Sequence, residues 1–232
     1  MNHYFFKYIN FNKKMSEEKI IKVIFLGCSG VGKTNLIQVA MDNPFQEKSE
    51  STFISSFYEN EIIIQDKKYK YTLWDTAGQE EYRSLNKSFI INSKIIFIVF
   101  AVNDRKSFEE VDFWIKYVND ILEKGKYIMA LVANKSDLIE EQEVPDEEIM
   151  KKGEELGIKV KITSALEDAI GFKIFLKELL KDFVKSGIGF EVKKSFSLQP
   201  ELIEEGIIGG KKNNESENSN RRNSTKKKNG CC

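Results

Sequence analysis

The stretch "GCSGVGKT", Gly27–Thr34, lies between the apolar run "IIKVIFL" (20–26) and "NLIQVAM" (35–41), which has helical period. It fits G-x-x-x-x-G-K-[ST] in the strand, loop and helix order that this motif requires. Its glycines allow backbone N–H groups to face phosphate oxygens, and the positive end of the following helix adds to the attraction. Ser29, Gly30, Val31, Gly32, Lys33, Thr34 and Asn35 are therefore expected to line a polyphosphate. Lys33 would reach the β- and γ-phosphates, and the Thr34 hydroxyl would ligate Mg²⁺. The plainer alternative is a glycine turn joining a strand to a helix.

Working outward, apolar runs that read as strands recur at Ile20–Leu26, Ile62–Gln65, Tyr69–Trp74, Ile95–Val102, Tyr127–Ala133 and Lys159–Thr163. Segments of helical period separate most of them. In "SFEEVDFWIKYVNDIL" the residues Phe108, Val111, Ile115, Val118 and Leu122 share a face, with Asp104 or Ser107 as the cap. A second helix is expected over 168–184, burying Phe172, Phe175, Leu179 and Phe183. Strands alternating with helices predict an α/β fold: a six-stranded, mostly parallel sheet with helices on both faces. The runs at 62–74 are joined only by a few residues around "DKK", so they form a hairpin and one edge strand is antiparallel.

Three further stretches follow expected strands. In "WDTAGQE", Trp74–Glu80, Asp75 can hold the metal, Gly78 can offer its N–H to a γ-phosphate, and Gln79 is placed to orient an attacking water. In "ANKSDL" the Asp137 carboxylate can accept two hydrogen bonds from guanine, whose ring N–H and amino group form a donor pair that adenine lacks. Asn134 and Lys135 would brace the base and the phosphate loop. "TSA", Thr163–Ala165, would add a backbone contact to the guanine oxygen from Ser164 and Ala165.

In this order, the stretches resemble the Ras superfamily of small guanine-nucleotide switches over about residues 18–185, and within it the Rab family. The likeness is carried by "GCSGVGKT", "YKYTLWDTAGQE", "RSL", "NDRKSFEEVDFWI", "NKSD", "TSA" and the terminal "CC". It implies a P-loop G domain that binds GTP and GDP with Mg²⁺ and hydrolyses GTP, with Lys33 and Gln79 in the catalytic roles. It also implies that Thr52, in "STFISSF", coordinates Mg²⁺ when the γ-phosphate is present, and that Phe45 packs on the guanine. Partners implied are an exchange factor, a GTPase-activating protein, a GDP-dissociation inhibitor, a prenylation escort and effectors, for a monomer acting in vesicle trafficking. The chain departs from the family at "FISSF" (53–57), Glu81, "FIINSK" (89–94) and "ITSAL" (162–166). None of these removes a phosphate, Mg²⁺ or guanine ligand, but all fall where partners dock.

The tail asks a separate question. Among 232 residues the charges cancel, yet residues 211–232 hold seven basic side chains against Glu215 and Glu217, a +5 tail on a −5 body. Cysteine fourth from the end would signal a C-a-a-X box, but Asn229 stands there. Cys231 and Cys232 instead look like the Rab pattern in which both are geranylgeranylated, which implies the cytoplasmic face of intracellular membranes with cycling through the cytosol. Two chains anchor stably where one holds only marginally, and "RRNSTKKK" would add attraction to anionic lipid. Unmodified cysteines at a disordered end are the alternative. A nucleic-acid role for the basic run is rejected for want of interleaved aromatics.

Cys28, in the glycine loop, is either oxidisable or a small loop residue. No disulfide framework is available, which fits a reducing compartment. Residues 1–17 are expected to be a flexible extension, or else translation starts at Met15; 18–186 form the nucleotide-binding domain and 187–232 a flexible tail. Two other functions stay open, a membrane scaffold that binds GTP without hydrolysing it and a P-loop nucleotide kinase. The second would need arginine-rich lids, and the chain has only Arg83, Arg105, Arg221 and Arg222.

Overall fold

Two strands, β1 (Ile20–Leu26) and β4 (Ile95–Ala101), are buried at every position. That is what a central parallel strand covered on both faces demands, and it explains why both read as unbroken apolar runs. The computed structural model describes residues 20–47, 56–76 and 83–188, with the backbone alone for 83–86.

After β1 come α1 (Lys33–Ala40), β2 (Ser56–Ile64), β3 (Lys67–Asp75), α2 (Arg83–Ile90) and β4. Then follow α3 (Arg105–Glu109), α4 (Val111–Ile121), β5 (Ile128–Asn134), a 3₁₀ turn (Ile139–Glu141), α5 (Asp146–Leu156), β6 (Lys159–Ile162) and α6 (Ala169–Lys185). The sheet order is β2-β3-β1-β4-β5-β6. Every pairing is parallel except β2 with β3, the expected antiparallel edge.

Alternation along the strands divides the core in two. Ile21, Val23, Phe25, Phe97 and Val99 face α1 and α6, where Leu36, Ile37, Phe172, Leu179 and Phe183 meet them. Rings Phe25 and Phe97 are 4.9 Å apart, and Phe97 and Phe172 5.6 Å. Such aromatic pairs add about 0.5–1.5 kcal/mol each beyond the area they bury. On the opposite face Ile24, Leu26, Ile96, Ile98 and Phe100 meet Val111, Trp114, Val118 and Ile149.

Three details differ from the sequence expectation. β2 begins at Ser56, six residues before its apolar stretch, because pairing with β3 rather than its own apolarity holds "SFYENE" in the sheet. The helix expected over 107–122 is divided into α3 and α4 at Glu110. Asp104 is its cap, accepting from the Ser107 N–H at 3.2 Å, while the Ser107 hydroxyl accepts from Ala101 N–H at 3.1 Å and pins this first turn to the end of β4. The hairpin turns at Gln65 and Asp66, both left-handed with φ of 50° and 60°. Paired positive φ values match the twist of a two-residue hairpin, although glycine or asparagine takes them more readily.

The loops after β1, β3, β5 and β6 emerge at the carboxyl ends of the parallel strands. β1 has β3 on one side and β4 on the other, so the chain reverses its direction of travel across the sheet there. A crevice at that point is where open α/β sheets bind ligands.

Candidate nucleotide site

The phosphate loop is shaped by what its glycines avoid. A Cβ at Gly27 would lie 2.0 Å from the Val99 carbonyl oxygen, and one at Gly32, where φ is 92°, would lie 2.3 Å from Asn134 Nδ2. Both positions exclude any side chain. Lys33 opens α1 and folds back over the loop, its Nζ donating to the Gly27 carbonyl at 2.9 Å and the Cys28 carbonyl at 2.7 Å. Only 5% of Lys33 is exposed, and burial draws its pKa down to about 8 against the opposing pull of the Asp75 carboxylate. Gly32 gives α1 no side-chain cap and the first turn holds no acid, so the positive pole of the helix is left for an anion.

Thr34 follows Lys33 and donates its hydroxyl to Asp75 Oδ2 at 2.8 Å. Asp75 ends β3 and is 2% exposed, and the next residue, Thr76, anchors the strand end by donating to the Phe25 carbonyl at 2.6 Å. A hydroxyl and a carboxylate oxygen in contact at the mouth of the phosphate loop are the hard donors that Mg²⁺ prefers, so these residues fit the ion. Asn35 turns the other way. Its amide donates to the Gln46 carbonyl at 3.0 Å and accepts from Gln46 N–H at 3.2 Å. Its side chain thus clamps the segment beside Phe45, which packs partly buried against the core, and only its backbone is left to face a phosphate.

Asn134 joins the rest. It ends β5, is 1% exposed, donates to the Val31 carbonyl at 2.8 Å and accepts from Ala165 N–H at 3.1 Å. One amide therefore ties the phosphate loop to the loops after β5 and β6. Lys135 takes a left-handed φ of 65°, strained for a lysine, and the Ser136 N–H donates to the Thr163 carbonyl at 3.1 Å. Asp137, half-buried, takes no hydrogen bond on its carboxylate among the described residues. Ser164 shapes the third loop, its hydroxyl oxygen accepting from Leu166 and Glu167 N–H at 3.1 and 3.0 Å. Asp168 caps α6 by accepting from Gly171 N–H at 3.0 Å and pairs with Lys161 at 2.8 Å.

Loops expected from separate motifs thus converge on one place. Thr52, Gly78, Gln79, Cys231 and Cys232 lie outside the described residues. Burial and the charge of Glu110 hold the Cys28 thiol above its ordinary pKa, which disfavours the reactive thiolate. The sequence reading missed the Asn35 clamp, the Thr76 anchor and the buried Lys22. Asn35 was expected to line the phosphates and Thr76 stands inside "WDTAGQE", but nothing in their spacing announces the bonds that either side chain makes. A cleft of about 470 Å³ lined by Tyr127, Leu156, Ile158 and Leu179 opens at the opposite rim of the sheet, away from these loops.

A phosphate loop on the first strand of a parallel sheet, with a hydroxyl–carboxylate pair at its mouth, defines a P-loop nucleotide-binding domain. The sequence model of the Ras family matches residues 22–185. "Ras-related protein RabC" of Dictyostelium discoideum is 32% identical over 202 residues, covering 85% of this chain and 98% of its own. "Ras-related protein Rab-21" of Geodia cydonium is 34% identical over 155 residues, 67% of each chain. "Ras-related protein Rab-25" of Oryctolagus cuniculus is 34% identical over 163 residues, 69% of this chain and 76% of its own. The chain belongs to the Ras family, in the Rab group of small GTPases.

Proposed function

We propose that this chain is a GTP-hydrolysing switch that acts on intracellular membranes during vesicle traffic. The observation that supports it is the Asn134 joint, which ties the phosphate, base and third loops to one another, beside a phosphate loop whose Thr34 meets Asp75. Residues 18–186 are the nucleotide-binding unit, between the extension 1–17 and the tail 187–232. Asp137 accepts the paired N–H donors of guanine, while Ser164 and Ala165 offer backbone to the base oxygen and Phe45 packs on its ring. Lys33 and the first turn of α1 meet the phosphate charge. Thr34, Asp75 and, with the γ-phosphate, Thr52 would hold Mg²⁺, which when bound neutralises polyphosphate charge.

Hydrolysis falls to Gln79, which orients the attacking water. Unaided turnover is expected at about 10⁻⁴ to 10⁻³ s⁻¹, because no arginine finger is evident in the chain, and a GTPase-activating partner would raise it. With GTP, Thr52 and Gly78 bind the γ-phosphate and order about 45–57 and 76–92, and hydrolysis releases them. An exchange factor and effectors then read the state. The tail supplies location: geranylgeranyl groups on Cys231 and Cys232 hold the chain to the cytoplasmic face, and a dissociation inhibitor returns it to the cytosol. Among the described residues no helix is long and apolar enough to cross a membrane.

Competition between labelled GTP and ATP on the purified full chain, followed by single-turnover hydrolysis, tests this. Preference for GTP with slow release of phosphate supports the switch. Preference for ATP overturns it, transfer to an acceptor nucleotide points to a kinase, and GTP held without hydrolysis points to the scaffold. Cys231→Ser with Cys232→Ser should move the expressed protein from membranes to the soluble fraction.

A further inference from the structure

Lys22 stands on the strand that leads into the phosphate loop, yet it is completely buried. It lies on the face shared with Ile24 and Leu26, paired in register with Thr72 of β3. Its amine sits 4.3 Å from the centre of the Trp74 ring and donates to the Ile91 carbonyl at 3.2 Å. Ile91 is the first residue beyond α2. The Lys22 backbone carbonyl accepts from the Lys94 N–H at 2.8 Å, so one residue of β1 grips both ends of the short link 91–94 between α2 and β4. Trp74 in turn stacks on Phe57 of β2 at 5.0 Å and meets Phe89 of α2 at 5.9 Å.

Burying an amine is expensive, and methionine would fill the same length without that cost. What methionine cannot do is donate to a carbonyl at the carboxyl end of a helix, where the backbone leaves acceptors over and the dipole favours a cationic group. We infer that Lys22 is a positioning residue that fixes the carboxyl end of α2 beneath Trp74. A nucleotide-dependent shift of α2 is then passed to the Phe57–Trp74–Phe89 stack instead of being taken up in the link 91–94. The inference rests on the switch function proposed above, since it needs α2 to respond to the nucleotide that the chain binds.

The test uses the full chain carrying Trp114→Phe, which leaves Trp74 as the single indole of the two in the sequence. Its emission is compared with GDP and with a nonhydrolysable GTP analogue bound, while a fluorescent GDP measures affinity directly. Lys22→Met should bind both nucleotides within about threefold of its parent and lose more than half of the emission difference. Lys22→Arg, which keeps a donor, should restore most of it. If Lys22→Met keeps the full difference, or if Lys22→Arg loses as much as Lys22→Met, the positioning role is overturned.

Hydrogen exchange on the unsubstituted chain gives a second measure that needs no variant. Protection of 91–94 should stay the same in both nucleotide states while that of α2 changes, and a link that loosens together with α2 overturns the inference. A parent that binds GTP without any change at Trp74 overturns it too and leaves the switch standing. A parent that binds no guanine nucleotide removes the switch itself.

Discussion

Replacing Asn134 with alanine removes a group that bonds to two other loops from the end of β5. The Val31 carbonyl and the Ala165 N–H would both lose their partner in a place water does not reach, since Val31 is 0%, Asn134 1% and Ala165 4% exposed. Leaving a buried backbone group unsatisfied costs about 1–3 kcal/mol, so the pair should cost about 2–6 kcal/mol in the closed arrangement. The free variant can escape part of that penalty by opening the loops to solvent. Whatever it recovers in this way it must give back when a nucleotide closes them again.

Two losses are therefore linked. The fall in unfolding free energy, read from urea denaturation, and the fall in GTP binding free energy, read by titration, should together reach at least about 2 kcal/mol. We expect most of it on the binding side, a 10- to 100-fold weaker affinity, because Asn134 joins loops rather than core elements. A variant that changes by less than about 1 kcal/mol in stability and binding combined would refute the role given to this amide.

Thr34→Asn should weaken GTP more than GDP by spoiling the hydroxyl–carboxylate pair that suits Mg²⁺, and equal affinities measured with and without chelator would count against it. Gln79→Leu should still bind GTP but turn over at least tenfold more slowly in a single-turnover assay; an unchanged rate would remove the water-orienting role. Lys22, with its pKa drawn down to about 7 by burial, binds fewer protons folded than unfolded between about pH 7 and its ordinary value of 10.5. Its destabilising contribution is thus full below pH 7 and is relieved as the pH rises. Across that window the natural chain should gain up to about 1.4 kcal/mol of stability per pH unit relative to Lys22→Met, as followed by denaturation at several pH values.

How much could be read beforehand depended on how each residue is held. β1 and β4 were plain because a strand buried on both faces has to be apolar throughout. The first part of β2 was not, since "SFYENE" is a partly exposed edge that borrows its order from β3. α5 was equally hard to see, for "DEEIMKKGEEL" buries only Ile149 and Gly153. The tight glycine loop at 27–34 and its contact with Asp75 were legible because the nucleotide chemistry proposed for them fixes residue type and spacing. Nothing local in "MDNPFQE" announces that Gln46 is clamped by Asn35, and nothing in "IIKVIFL" says whether the lysine side chain escapes to solvent or is enclosed under a tryptophan. Both are settled by elements distant in the chain, which periodicity cannot register.

The hairpin at Gln65 and Asp66 offers a practical reserve. Two non-glycine residues are held there in a left-handed conformation, at the far end of β2 and β3 from the loops that carry the chemistry. Rewriting the pair as Asn-Gly would suit that backbone better by about 1 kcal/mol. A chain strengthened in this way becomes a sturdier host for the weakened variants above, so that a lost activity can be told apart from a protein that has simply come undone.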